Sequence, residues 1–242
     1  DGMTTAINEE KGQEAFDLLT SLFGTYSIPV TTENFFNSFR YGRIPIGISN
    51  LDTYIKLKNG APEIAGMWDI APSPGIMDEN GVVHRDQTSA GETAVIMKRT
   101  TMKNEAWDFL KWWLSTEVQE EYGFIMQTKF GPTYIWNTAN EEAFQSTDIE
   151  KQHMDVIFEQ WKWTYEVPLH PASYMLEREL SNAWNNVVVK NREARASLDK
   201  AVININREME RKLQEFGYFE NGQMVKPYRI ASLDLIEEDG RS

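Results

Sequence analysis

Apolar positions along this chain recur mostly at spacings of three and four, the period of helices packed on one face. In residues 14–23 (EAFDLLTSLF), Ala15, Leu18, Leu19 and Leu22 form such a face, and Gly24 follows as a stop. Phe35, Phe36 and Phe39 predict a short second helix closed by Gly42. Ile44, Ile46 and Ile48 alternate instead, which predicts a strand, and Pro45 places it at a sheet edge because proline donates nothing to a ladder. Asn50 is a good N-cap for LDTYIKLK, which runs to the Asn59-Gly60 turn. A strand is predicted around Ile64 to Ile70, then a stiff extended crossing through Pro72 and Pro74, and another strand at 93–97 (TAVIM). Asn104 is placed to cap a helix in which Trp107, Leu110, Leu114, Val118 and Tyr122 share one stripe. Trp112 falls about 200° around from Leu110, at about 100° per residue, so something outside that stripe must cover it. Gly131-Pro132 interrupts the pattern. Helical spacing resumes near Glu141 and in 150–163, 173–189 and 197–216, the last with Leu198, Val202, Ile205, Met209, Leu213 and Phe216 before Gly217.

Charge and composition narrow the possible partners. Thirty-seven acidic against 24 basic residues give a formal net charge of −13, a field that repels nucleic-acid phosphates and anionic lipid. No basic stripe offsets it; the densest basic stretch, Lys190 to Arg195, is one helix end. Cysteine is absent, which excludes disulfides and thiolate metal sites. No apolar run approaches the roughly 18 residues of a membrane span. The chain opens Asp-Gly-Met-Thr-Thr, without an initiator Met or a signal peptide, and reads as an excised or processed piece. Eight tryptophans are many for 242 residues, and surplus indole serves as core bulk, as interface or as a stacking surface for sugars.

The order of several short motifs resembles one family. Phe39-x-x-Gly42-Arg43-Ile44-Pro45-Ile46 is similar to a helix-end-to-strand element, Phe-x-x-Gly-Lys-x-Ala-Met, of the extracellular solute-binding proteins of ABC importers (family 1, the carbohydrate-binding kind). Trp68-Asp69-Ile70-Ala71-Pro72-Ser73-Pro74-Gly75 resembles their hinge-entry segment, and Lys103-Asn104-Glu105-Ala106-Trp107 through Trp112 their best-known helix signature. Gly131-Pro132-Thr133-Tyr134 resembles the loop that returns to the other lobe. Pro171-Ala172-Ser173-Tyr174, the helix through Trp184, and Ala201 to Glu215 resemble the closing helices. At the turn from Ser49 to Tyr54, many relatives carry Asn-Gly-x-Trp, whereas Ser49-Asn50-Leu51-Asp52 has no ring at the fourth position.

The resemblance implies a helix-rich α/β fold, the C-terminal part of a two-lobed periplasmic-binding-protein-like (type II) clamshell that closes on its ligand by a hinge. It implies that residues 1–70 and 123–231 belong mainly to the second lobe and that 71–122 cross over and form part of the first; residues 232–242 read from their composition as an acidic tail. Relatives are considerably longer, so half of the cleft is expected to be missing and apolar surface to be bare. The implied activity is binding of an oligosaccharide or sugar derivative for delivery to an ABC permease. No chemistry is implied, and neither cofactor nor metal. The implied setting is extracellular, at the cell surface, as a lipoprotein.

A sugar site needs flat rings against C–H faces and carboxylates, amides or Arg at the hydroxyl edges. Trp68 is the first stacking candidate, just before the crossing; its other reading is a buried strand residue bonded locally. Asn50 and Asp52 are hydrogen-bonding candidates at the ring-less turn. Tyr134 and Trp136 follow the Gly-Pro loop, where binding groups often sit, or else pack on a neighbouring helix. Tyr174 and Arg178 are four apart at a helix start, giving a ring with a hydroxyl clamp or a surface cation–π pair. Trp161 and Trp163 cannot both be buried by one helix face, so one meets the core and the other another surface. Trp107 and Trp113 read as core.

Catalytic signatures are weak. His84, His153 and His170 are isolated, without metal-ligand spacing. There is no Gly-x-Ser-x-Gly elbow, and Ser89-Ala90-Gly91-Glu92-Thr93 lacks the lysine of a phosphate loop. Two rivals remain. One is a glycan-active enzyme using a carboxylate pair, for which no specific pair stands out. The other is a helical interaction module whose tryptophans form an interface.

Overall fold

The computed structural model describes residues 4–31, 34–89 and 91–228. The chain divides into two compact units, one drawn from Asp1–Thr32 together with Pro168–Ser242 and one continuous from Glu33 to Val167. Residues 71–122 fall inside the continuous unit, and the acidic stretch 232–242 lies outside the described residues. Among the described residues helix dominates, and strand is confined to two-residue pieces.

The split unit is built on α8 (Ser173–Trp184) and α9 (Ala194–Glu215), with α1 (Glu10–Gly24) against them. Along α9 the predicted stripe goes inward at Leu198, Ile205, Met209 and Leu213, joined by Ala201. Full burial of each large aliphatic side chain is worth about 1.5–3 kcal/mol. Phe216, expected in the same stripe, is exposed beneath the Lys212 ammonium, because the helix ends at Glu215 and Gly217 turns the chain away at φ 68°. On α1 the buried face is not the expected Ala15, Leu18, Leu19, Leu22 row. Phe16 and Thr20 go inward, Phe16 against Ala183 and Leu198, while Phe23 meets Trp184 edge-on at 5.1 Å. Positions 16, 20 and 23 have the same helical spacing as 15, 18, 19 and 22, so periodicity alone could not choose between the faces. A π-helical turn, Asn185–Val189, ends α8, and Glu193 then caps α9 by accepting from the Arg195 and Ala196 amides. The hairpin of β5 (Phe219–Glu220) and β6 (Gln223–Met224) turns on Asn221-Gly222, both at positive φ (50° and 80°), the backbone that a two-residue turn of this kind requires.

In the continuous unit α2 (Phe35–Arg40) and α3 (Leu51–Gly60) lead into a 3-10 turn, Pro62–Ile64. The strand expected at 64–70 is therefore absent: the chain turns at Gly66 (φ 73°) and runs on irregularly. The strands expected at 44–48 and 93–97 are also absent. Both segments are irregular, with Ile46 81% and Val95 72% exposed. Alternation marks a segment able to join a sheet, but a strand exists only when another backbone supplies the ladder.

The strands that do form are β1 (Ile76–Met77) antiparallel to β2 (Val83–His84), and β3 (Gln87–Thr88) parallel to β4 (Thr164–Tyr165). The predicted helix over 104–122 divides into α4 (Lys103–Trp113) and α5 (Thr116–Phe130), with the break at Leu114-Ser115. Asn104 lies inside α4 rather than capping it; Met102 holds the cap position. No residue of α4 is buried, and Trp107, read as core, is 55% exposed, as is Trp112.

The core of this unit gathers Tyr54 and Ile55 of α3, Phe144 of α6 (Glu141–Gln145), Ile149, and Met154 of α7 (Lys151–Trp161). Trp161 packs there while Trp163 meets His84 at 5.3 Å, the division of labour expected from their spacing. Gln160 of α7 ties the proline-rich segment down, accepting from the Ser73 amide (2.8 Å) and donating to the Arg85 carbonyl (3.0 Å). No helix among the described residues is long and apolar enough to cross a membrane.

Candidate functional site

The turn at Gly66 folds Trp68 and Asp69 back onto α3 and the first turn of α7. There Tyr54, buried in the core, has its hydroxyl 2.9 Å from His153 Nδ1, and His153 Nε2 lies 3.0 Å from Asp69 Oδ1. The Trp68 indole is nearly parallel to the imidazole (21°, centroids 6.0 Å apart) and meets the Tyr54 ring edge-on at 5.6 Å. Asp69 Oδ1 also accepts from the Ile70 amide at 2.8 Å, and Gln152 Nε2 stands 3.4 Å from Oδ2. Burial, then the Glu150 and Asp148 carboxylates, pushes the Tyr54 phenol up to about 12. Tyr54 therefore remains a proton donor at ordinary pH. With its O–H donated to Nδ1, the ring carries its proton on Nε2, facing Asp69. The result is a half-buried indole beside a carboxylate 61% exposed, the latter held by an imidazole only 12% exposed. A flat ring next to a fixed, solvent-facing acceptor matches the C–H face and hydroxyl edge of a sugar.

The other predicted residues are partly committed to the fold. Asn50 caps α3, its side-chain oxygen accepting from the Thr53 amide at 3.2 Å, while Asp52 is exposed in the first turn. Tyr134 is half exposed and packs against Phe130 at 5.2 Å. Trp136 donates its indole N–H to Gln119 Oε1 (2.7 Å) and sits edge-on to Tyr122 at 4.9 Å. Gln119 is a buried hub: its Oε1 also accepts from the Thr138 hydroxyl, and its Nε2 donates to the Trp113 carbonyl, each at 2.7 Å. Beside it Trp136, Thr138, Phe124 and Ser146 line a cavity of about 310 Å³.

Tyr174 and Arg178 belong to the split unit, whereas Asn50, Asp52, Trp68, Tyr134 and Trp136 belong to the continuous one. The Tyr174 hydroxyl donates to the buried Glu208 carboxylate, which Arg211 grips from both Nε (2.9 Å) and Nη2 (2.7 Å). Arg211 first, then Tyr174, holds Glu208 down to about 2. Arg178 lies 3.5 Å from Glu179 and points a guanidinium N–H at Met175 Sδ. A polar hollow of about 300 Å³ lies beyond, lined by Glu179, Asn182, Asn186, Lys200 and Asn204.

Sequence reasoning missed His153, Tyr54 and Gln119 as organising residues. The period gave no signal for Gln119 either: it lies about 100° around from Val118 of the predicted stripe, and it is the one buried residue of α5. His153 lies 84 residues from Asp69 and 99 from Tyr54, separations no local motif spans. Among the described residues no three His, Asp or Glu side chains gather as a metal site. Comparison with protein-family models and with curated proteins finds no match to either.

Proposed function

We propose that this chain is the C-terminal portion of a carbohydrate-class solute-binding protein, which captures an oligosaccharide or sugar derivative and delivers it to an ABC permease. The observation that carries the reading is the Trp68–Asp69 platform. An indole lies beside an exposed carboxylate that His153 and Gln152 orient, at the segment whose sequence resembles the family's hinge entry. Binding of this kind needs no bond-making: the ring contributes dispersion and C–H contact, the carboxylate accepts ligand hydroxyls, and closure of a second lobe excludes water.

Bare surface in the continuous unit supports the same reading. On α4, Phe109 with Trp112 on one side and Trp107 on another are exposed, and the alternating segments 44–48 and 93–97 lie outside any strand. A lobe lacking its other half leaves such surface uncovered. In the clamshell reading these segments meet strands and helices supplied by more of the parent protein, at the cell surface and anchored as a lipoprotein.

The test is titration of the full gene product with a panel of oligosaccharides, followed by tryptophan fluorescence and thermal shift. A saturable response is expected with at least one sugar, lost in Trp68→Ala and weakened in Asp69→Asn. Absence of response to every sugar in the panel overturns the proposal. The chain of 242 residues alone is expected to bind weakly or not at all, and micromolar binding by it contradicts the half-cleft reading.

A further inference from the structure

Resting on the reading of Trp68 and Asp69 as the ligand platform, we infer that His153 is its positioning residue and makes the platform respond to pH. Three contacts converge on this one imidazole. Tyr54 reaches Nδ1 at 2.9 Å from α3, Asp69 reaches Nε2 at 3.0 Å from the segment after the 3-10 turn, and Trp68 covers the ring face at 6.0 Å between centroids. Trp68 and Asp69 lie on an irregular segment that has no ladder to fix it, so their geometry depends on what they touch on α3 and α7. His153 touches both.

The charged and titratable groups that face it or stand close by, among the described residues, come from α3, the platform and the start of α7. Tyr54 faces it from α3, and Asp69 from the platform. On its own side Glu150 and Asp148 precede α7, with Lys58 of α3 3.4 Å from Asp148. Tyr54 keeps its proton throughout, so a proton added to the imidazole lands on Nδ1 and turns the phenol from donor to acceptor there. The Nε2–H···Asp69 contact then becomes an ion pair. Two consequences follow for a guest. The carboxylate gives part of its charge to the imidazolium and becomes a weaker acceptor for ligand hydroxyls. The indole, already stacked on a cation, offers a less electron-rich face to ligand C–H groups. Both act in one direction, so the platform grips a neutral sugar less tightly as pH falls.

The experiment begins without ligand. Tryptophan emission is followed against pH for wild type, His153→Gln and Trp68→Phe. A one-proton quenching step is expected, and it should vanish in both variants, because an imidazolium stacked on an indole quenches it. All three carry His84→Gln as background, because Trp163 meets His84 at 5.3 Å. Persistence of the step in His153→Gln, or in Trp68→Phe, overturns the inference. The second arm uses the tightest-binding oligosaccharide of the panel. Wild-type affinity should fall about five- to tenfold through the step. His153→Gln, which keeps an N–H for Asp69 but cannot titrate, should bind like neutral wild type at every pH, and His153→Leu should bind weakly throughout. Equal affinity and an equal pH profile in His153→Gln overturn the role of His153. Failure of every sugar to bind overturns the ligand reading instead, and the ligand-free step then decides the His153 coupling on its own.

Discussion

Gln119→Leu tests whether Trp136 belongs to the scaffold. The substitution keeps volume close to constant and removes both polar atoms of the hub. Three partners lose their bond: the Trp136 indole N–H, the Thr138 hydroxyl and the Trp113 carbonyl, each now held at 2.7 Å. Leaving a buried donor or acceptor unpaired costs about 1–3 kcal/mol, against about 1 kcal/mol for a bond whose partners both reach water. The three are not equally trapped. Thr138 is buried, although its oxygen still accepts from the Asn140 amide, whereas Trp136 is half-buried and lines the cavity of about 310 Å³, which admits water. Counting one full penalty and two partial ones gives a loss of about 2–4 kcal/mol.

The assay is urea unfolding followed by far-UV circular dichroism and by tryptophan emission, comparing midpoints at unchanged m. The double variant Gln119→Leu/Thr138→Val should cost less than the sum of the single changes by about 1–2 kcal/mol, since it removes both ends of one bond. A Gln119→Leu protein within about 0.5 kcal/mol of wild type, or strict additivity in the cycle, refutes the reasoning. Trp136 would then be free for a guest.

Other expectations follow from single contacts. Glu208 is held from its ordinary 4.5 down to about 2 by Arg211 and Tyr174, so the stability it lends is whole above the ordinary value and lost as pH falls toward about 2. Acid unfolding of Glu208→Gln should accordingly show a flatter slope in that window, and an unchanged slope counts against the triad. Tyr54 is the alkaline counterpart: its value lies above the ordinary 10, at about 12, so its contribution is whole below pH 10 and lost as pH rises through about 12. Absorbance titration of tyrosinate should show a phenol ionising at about 12 that is missing in Tyr54→Phe, while Tyr228, also raised by burial, remains. A Cβ on Gly12 would collide with the backbone of Ile7, whose carbonyl carbon would lie at 2.7 Å. Gly12→Ala should therefore cost about 1–3 kcal/mol in thermal or urea unfolding, although at an open helix position the same change gains up to about 1 kcal/mol.

Helices were legible because each is encoded locally. The 3–4 spacing of Leu198, Ile205, Met209 and Leu213, the cap at Asn50 and the stops at Gly24 and Gly131 all act within a few residues of themselves, so composition and order placed α1, α3 and α9 within a few positions. Trp161 and Trp163 do face different surroundings as expected, but α7 ends at Trp161 and Trp163 lies in the turn beyond it. The absence of cysteine and the strongly acidic balance likewise belong to the sequence alone.

What the tertiary structure decided depends on partners distant in the chain. Residues 44–48 and 93–97 carry the alternation of strands and form none, because no ladder reaches them among the described residues. Phe16 rather than Leu18 went inward on α1 because Ala183 and Leu198 stand on that side. Trp68 became part of a polar cluster only when a turn at Gly66 laid it on His153, and Gln119 became a hub only when the 131–140 loop brought Trp136 and Thr138 to it. Periodicity records which residues can be buried or paired. Desolvation and hydrogen bonding with a specific neighbour determine which of them are, and that neighbour is fixed by the fold rather than by the local sequence.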